Sequence, residues 1–223
     1  DNYVGTSGDD TFDMTQGGND NWNGGDGHDQ FYFGATFNMS DHVDGGTGLD
    51  AIDLDGDYSA GLVLGATTLT NVESLNLEPG HSYNITSNDA TVAAGAFLNV
   101  NGAYLGANDF VKFDASAEKD GRVEFVGGAG NDAFYGSAMG DFVDLTNVDG
   151  SNAINAGGNG NDTIHTNGGN DQIKIYGEYL TSADTIDGGS GSDELIVSST
   201  MTKKVMLGSQ TITNNEDISG NVY

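Results

Sequence analysis

Cysteine is absent from this 223-residue chain. No disulfide braces it, so rigidity must come from packing or from bound metal. The 4 His residues are scattered, at His28, His42, His81 and His165. None has a His or Cys partner at ligand spacing, which disfavours zinc. Proline occurs once, which excludes collagen and Pro-rich linkers. Basic residues are scarce: 6 Lys and Arg face 34 Asp and Glu, for a formal charge of -28. Nucleic acid and anionic membrane are therefore poor partners, since both are bound through positive protein surface. No apolar run approaches the roughly 18 residues of a membrane-spanning helix. The opening DNYVG carries no signal-peptide pattern, and the chain reads as a segment of something longer.

Glycine and aspartate are what the chain has instead. Gly is 36 of 223 residues, more than twice the usual share. High charge with high Gly is a signature of disorder, but the apolar residues here recur too regularly for that. Gly24 to Tyr32 reads GGDGHDQFY, and Gly45 to Asp53 reads GGTGLDAID. Gly127 to Tyr135 reads GGAGNDAFY, Gly157 to His165 reads GGNGNDTIH, and Gly188 to Ile196 reads GGSGSDELI. Each copy is a glycine turn, an Asp, and a short strand whose second residue is apolar.

In the first block the Asp falls at positions 10, 20, 29, 41 and 50, followed two places on by Phe12, Trp22, Phe31, Val43 and Ile52. The longest step contains Ala35 to Ser40 and predicts a lengthened turn. In the second block the marker positions are Asp132, Asp141, Asn152, Asp162, Asp171, Asp184 and Asp193. Their apolar partners are Phe134, Val143, Ile154, Ile164, Ile173, Ile186 and Leu195. Asn152 keeps the shape of the unit without its carboxylate. A lone Gly-Asn-Asp is an ordinary surface turn, whereas recurrence at near-constant step is the mark of a solenoid. Two units make one rung of turn, strand, turn, strand, and rungs stack about 4.8 Å apart. The aromatic residues Phe12, Trp22, Phe31 and Phe134 take the inward strand position, where core packing is the better reading than a carbohydrate platform.

Four segments follow: a repeat block at 1–54, a metal-poor β-segment at 55–126, a second repeat block at 127–197, and the start of another metal-poor segment at 198–223. In the second segment the predicted strands are Leu62 to Leu64, Leu75 to Leu77, Tyr83 to Ile85, Leu98 to Val100, Phe110 to Phe113 and Val123 to Val126. Ala90 to Phe97 has the only helical period, enough for one short turn. This segment reads as a continued solenoid with larger rungs, a separate β-sandwich being the alternative. A longer period lies beneath: Asp50 to Leu77 aligns without a gap on Asp193 to Gly220, offset by 143 residues. Leu64, Gly65, Asn71 and Glu73 fall on Leu207, Gly208, Asn214 and Glu216.

Glycine turns bend carbonyl oxygens toward one point, and the following Asp adds a charged oxygen. Calcium takes six to eight such hard ligands, so each ion would join two stacked turns and offset their repulsion. Folding would then be coupled to binding. No stretch matches an EF-hand loop, and magnesium prefers a tighter octahedron with retained waters. Asp53, Asp55 and Asp57 alternate just past Ile52 and offer either an extra cation site or a polar strand face. Paired Asp residues invite a glycosidase reading, but every turn has them, and no nucleophile elbow or Ser-His context is present. The chain is read as non-enzymatic.

The nonapeptides resemble the repeats-in-toxin family, whose pattern is G-G-x-G-x-D-x-apolar-x, over roughly residues 5–54 and 127–197. That resemblance implies an all-β fold, a right-handed parallel β-roll or β-helix solenoid with several calcium ions in its turns. It also implies type I secretion and folding outside the cell, at the cell surface. The ligands it carries over are Asp10, Asp20, Asp29, Asp41, Asp50, Asp132, Asp141, Asp162, Asp171, Asp184 and Asp193, with neighbouring turn carbonyls. The TNVESLNL segment also looks like calcium-dependent surface-layer proteins and large adhesins, which suggests a structural surface role. An accessory module of a secreted enzyme is the runner-up, and an adhesin module is a third class. Lateral self-association and a cell-surface glycan stay open as partners.

Overall fold

The computed structural model describes residues 2–145, 163–165, 172–176, 182, 185–190, 192–198, 212–213 and 217–220. All regular structure among them is β, and every strand pairing is parallel. Strands of two to six residues suit these segments: each carries one or two apolar residues at alternate positions and is cut off by a glycine or Asx turn. No described helix is long and apolar enough to cross a membrane.

One sheet of ten strands runs the length of the chain. In order it holds Thr11–Asp13, Gln30–Phe33, Ala51–Leu54, Ser74–Leu77, Phe97–Asn101, Arg122–Val126, Phe142–Leu145, Gln172–Tyr176, Glu194–Ser198 and Asp217–Gly220. Its register aligns one inward residue per rung: Phe12, Phe31, Ile52, Leu75, Val100, Phe125, Val143, Ile173 and Leu195. From Phe31 to Leu195 these side chains are fully buried. The opposite wall is built from two sheets. A four-stranded one, Asn2–Val4, Asn21–Asp26, His42–Thr47 and Leu69–Thr70, faces the first repeat block. A seven-stranded one then takes over, from Tyr58–Val63 through Tyr83–Thr86, Val111–Asp114, Ala133–Tyr135, Thr163–His165 and Thr185–Asp187 to Ile212–Thr213. The two walls meet across aromatic contacts, Phe12 against Trp22 at 5.2 Å and Phe125 against Phe134 at 4.9 Å between ring centres.

The predicted solenoid is therefore found, and it continues through residues 55–126 as further parallel rungs. That excludes the β-sandwich alternative, whose sheets are antiparallel. The handover between walls falls in one three-sided rung, where Tyr58–Val63, Leu69–Thr70 and Ser74–Leu77 each join a different sheet. Tyrosine hydroxyls pin this rung: Tyr58 Oη donates to the Gly34 carbonyl and accepts the Phe37 N–H, and Tyr83 Oη donates to the Leu54 carbonyl at 2.7 Å. The short helical turn expected at Ala90 to Phe97 does not form. The Gly95 N–H, which a helix would need to bond back along the segment, goes instead to the Asp120 carbonyl at 2.7 Å, and Gly95 itself stands at φ 76°, outside the right-handed helical region. Phe97 instead opens a strand.

The 143-residue period is structural as well. Val43 pairs with Leu69 and Asp44 with Thr70; Ile186 pairs with Ile212 and Asp187 with Thr213, the same positions displaced by that period.

Candidate metal-binding turns

The marker Asp and the inward apolar residue are two positions apart, so both point into the roll. The Asp caps the end of the core where the chain leaves its turn. Asp29, Asp41, Asp50, Asp132, Asp141 and Asp193 are at most 3% exposed, Asp20 is 7% exposed, and Asp10 is half-buried. Asp162, Asp171, Asp184 and the Asn152 turn lie outside the described residues.

Most of these carboxylates do one common thing. Oδ1 accepts the backbone N–H of the residue that stands beside the Asp in the preceding rung: Asp29 from Asp10 at 2.8 Å, Asp41 from Asp20 at 3.0 Å, Asp50 from Asp29 at 2.7 Å. Asp132 and Asp141 take the Val111 and Val123 N–H groups at 2.9 and 2.8 Å. Each Asp thus extends the strand ladder by one bond into the turn, where the backbone has no partner of its own. Glu73 holds the same place in the next rung, its Oε2 accepting the Asp50 N–H at 2.9 Å. Sequence reasoning missed Glu73 because the short Asn71–Val72–Glu73 turn lacks the glycine spacing; its alignment with Glu216 was the available signal.

The second oxygen divides the turns into two kinds. In one kind the turn satisfies its own carboxylate. Thr6 N–H and Oγ1 donate to Asp10 Oδ2 at 2.6 and 2.9 Å, Ser137 N–H donates to Asp141 Oδ2 at 2.6 Å, and Asn38 donates to Asp41 Oδ2 through both N–H and Nδ2. In the other kind no donor arrives. Asp29 Oδ2 and Asp50 Oδ2 are buried without a hydrogen bond. Their turns carry Gly25 and Gly46 at φ 104° and 98°, a backbone open to glycine and strained for the Thr or Ser of the self-satisfied turns.

These two oxygens face carbonyls. A Cβ built on Gly24 would lie 2.1 Å from Asp29 Oδ2 and 2.4 Å from the Gly45 carbonyl of the next rung. A Cβ on Gly45 would lie 2.6 Å from Asp50 Oδ2 and 2.0 Å from the Asn71 carbonyl. Only glycine leaves room for such pairs of oxygens, and a buried carboxylate oxygen facing a carbonyl without a donor is costly. Burial raises the Asp50 carboxyl, and the charges of Asp29 and Glu73 add to it. Burial also pushes Asp132 and Asp141 up to about 6. An all-oxygen set of buried carboxylates and carbonyls fits a hard divalent cation.

Among the described residues one further acidic group could hold a metal ion. Asp89, Glu118 and Asp120 bring one oxygen each within 4.8 Å of one another. It sits in the segment expected to be metal-poor. Its chemistry is partly spoken for: Glu118 Oε1 accepts the Lys119, Asp120 and Gly121 N–H groups, Oε2 accepts that of Val92, and Lys119 Nζ holds Asp89 at 2.5 Å. Of the alternating run, Asp53 accepts Gln30 Nε2 and Asn76 Nδ2 in a three-rung ladder, Asp55 faces His81, and Asp57 caps Ser59. The run is a polar strand face and turn. The His residues stay apart. His28 Nδ1 accepts the Leu49 N–H, His42 Nδ1 lies 2.8 Å from the Thr67 carbonyl, and His165 stacks on Tyr135 beside Asp187.

Comparison with known proteins finds no match: no family profile, no curated sequence and no solved structure is similar to this chain.

Proposed function

We propose that this chain is a calcium-folded structural module of a secreted bacterial surface protein, built from turns of the repeats-in-toxin kind. The observation that carries the proposal is the pair of buried carboxylate oxygens, on Asp29 and Asp50, that have no donor and face a carbonyl of the next rung. Asp29 and the Gly45 carbonyl would hold one ion between two rungs. Asp10, Asp20, Asp41, Asp132, Asp141 and Asp193 belong to the proposed set, and Asp162, Asp171 and Asp184 join it on sequence alone. Calcium supplies positive charge among stacked carboxylates. Like charges at about 4 Å otherwise repel by on the order of 1 to 4 kcal/mol per pair, depending on exposure.

The chain's own contribution is to align the rungs, exclude water from the carboxylates and, at Asp29 and Asp50, leave one carboxylate oxygen without a competing donor. The role is non-catalytic and belongs at the cell surface after type I export. The repetition at 143 residues favours a scaffold, because scaffolds lengthen by duplication. Negative-stain microscopy and sedimentation with and without calcium test this role. Ordered sheets or filaments formed only in calcium are expected. A calcium-bound chain that stays monomeric and gives a glycan-array signal would overturn the scaffold in favour of an adhesin.

A further inference from the structure

Building on that calcium reading, we propose that the row of cation sites runs one turn beyond the last glycine repeat of the first block and closes on Asn71. Asn71–Val72–Glu73 matches no part of the G-G-x-G-x-D pattern. Register nevertheless sets Asn71 beside Gly45, since Asp44 pairs with Thr70, and sets Glu73 beside Asp50, since Ala51 pairs with Ser74. A three-residue turn is thereby stacked on the six-residue turn Gly45 to Asp50.

The two ends of the short turn do the two jobs of a glycine turn. The Asn71 carbonyl faces Asp50 Oδ2 across Gly45, as the Gly45 carbonyl faces Asp29 Oδ2 across Gly24. Asp50 is 1% exposed and its Oδ2 has no donor. Glu73 meanwhile accepts the Asp50 N–H, taking the ladder role of the missing Asp. Asn71 is the one non-glycine residue at positive φ, 50°, among the described residues. Asn tolerates that conformation better than other side chains, and its Nδ2 donates to Asp44 Oδ1 at 2.8 Å, which holds the turn in place. In the following rung Leu98 stands beside Glu73 and offers no oxygen side chain, so the row ends there. The ligand is a hard divalent cation of calcium's size, held by one carboxylate and at least one carbonyl, with water completing the shell.

Native mass spectrometry of the 223-residue chain, titrated with calcium alone, counts tight ions. Asp50→Asn keeps the shape and the Oδ1 acceptor but replaces the free oxygen by an amide donor. Asn71→Val disfavours positive φ and displaces the carbonyl, whereas Asn71→Gly keeps the conformation without the side chain. Expected are one ion fewer in Asp50→Asn, one fewer in Asn71→Val, no further loss in the double variant, and the full count in Asn71→Gly. A full count in Asp50→Asn, or in a folded Asn71→Val, would overturn the site. Should Asn71→Val fail to fold, the Asp50→Asn count decides alone. A wild-type chain that binds no calcium would instead overturn the reading on which this site rests.

Discussion

Replacing Asp29 by Asn should change stability in opposite directions with and without calcium. Asp29 is 1% exposed, its Oδ1 accepts the Asp10 N–H at 2.8 Å, and its Oδ2 faces the Gly45 carbonyl with no donor. Asn fits the same volume. Its oxygen keeps the bond from Asp10, which turns Nδ2 toward the Gly45 carbonyl. Without a cation the substitution removes a buried charge whose desolvation costs several kcal/mol and adds a hydrogen bond contributing about 1 kcal/mol. In chelator the variant should gain about 2 to 4 kcal/mol over the parent. In calcium at about a thousand times the dissociation constant, the parent holds an ion that contributes about 4.1 kcal/mol, which the variant lacks and which exceeds its cation-free gain. The β signal retained in chelator and urea unfolding in calcium, both followed by far-UV circular dichroism, read the two differences. Loss of stability in both conditions would refute the reasoning, because the carboxylate would then stabilise the rung without a cation.

Phe134→Ala should destabilise the calcium-bound chain by about 3 to 5 kcal/mol, since Phe134 is fully buried against Phe125 and opens a cavity when truncated; urea unfolding in calcium measures it. Gly46→Ala places a Cβ 2.0 Å from the Gly25 carbonyl at a φ of 98°. The variant should lose more than about 2 kcal/mol together with its calcium response, both visible in a calcium titration by circular dichroism. Burial holds the Asp132 and Asp141 carboxyls at about 6, above the ordinary 3.8. A carboxyl raised in the fold keeps its proton where the unfolded chain has lost it. Its contribution to the cation-free fold, about 3 kcal/mol per group, is therefore full below about pH 4 and lost as pH rises through about 6. Chelator-treated protein should retain more β signal at pH 4.5 than at pH 7, while calcium affinity should rise over the same interval.

The fold was largely legible because its signals are periodic. An apolar residue two places after each Asp reports the inward column from Phe12 to Leu195, and the 143-residue alignment anticipates which strands pair at Leu69 and Ile212. The division among turns was not legible. G-G-x-G-x-D gives every marker Asp the same appearance, but whether its second oxygen is free depends on what the second turn residue does. Thr6 and Ser137 donate to their carboxylates, whereas Gly25 and Gly46 adopt a conformation those residues would resist. Asn71 and Glu73 were hidden for a related reason: their place in the row comes from stacking against Gly45 and Asp50 across rungs, which no local pattern records. The helical period at Ala90 to Phe97 misled because Gly95 turns to positive φ and gives its N–H to the Asp120 carbonyl, a contact no local pattern records.

Far-UV circular dichroism during a calcium titration, with magnesium as the control, tests the coupling of ion binding to folding most directly. A cooperative coil-to-β transition in calcium, absent in magnesium, is the predicted result. A full β spectrum in excess chelator would contradict it: the solenoid would then stand on the apolar column alone, and its Asp turns would serve only to extend the strand ladder.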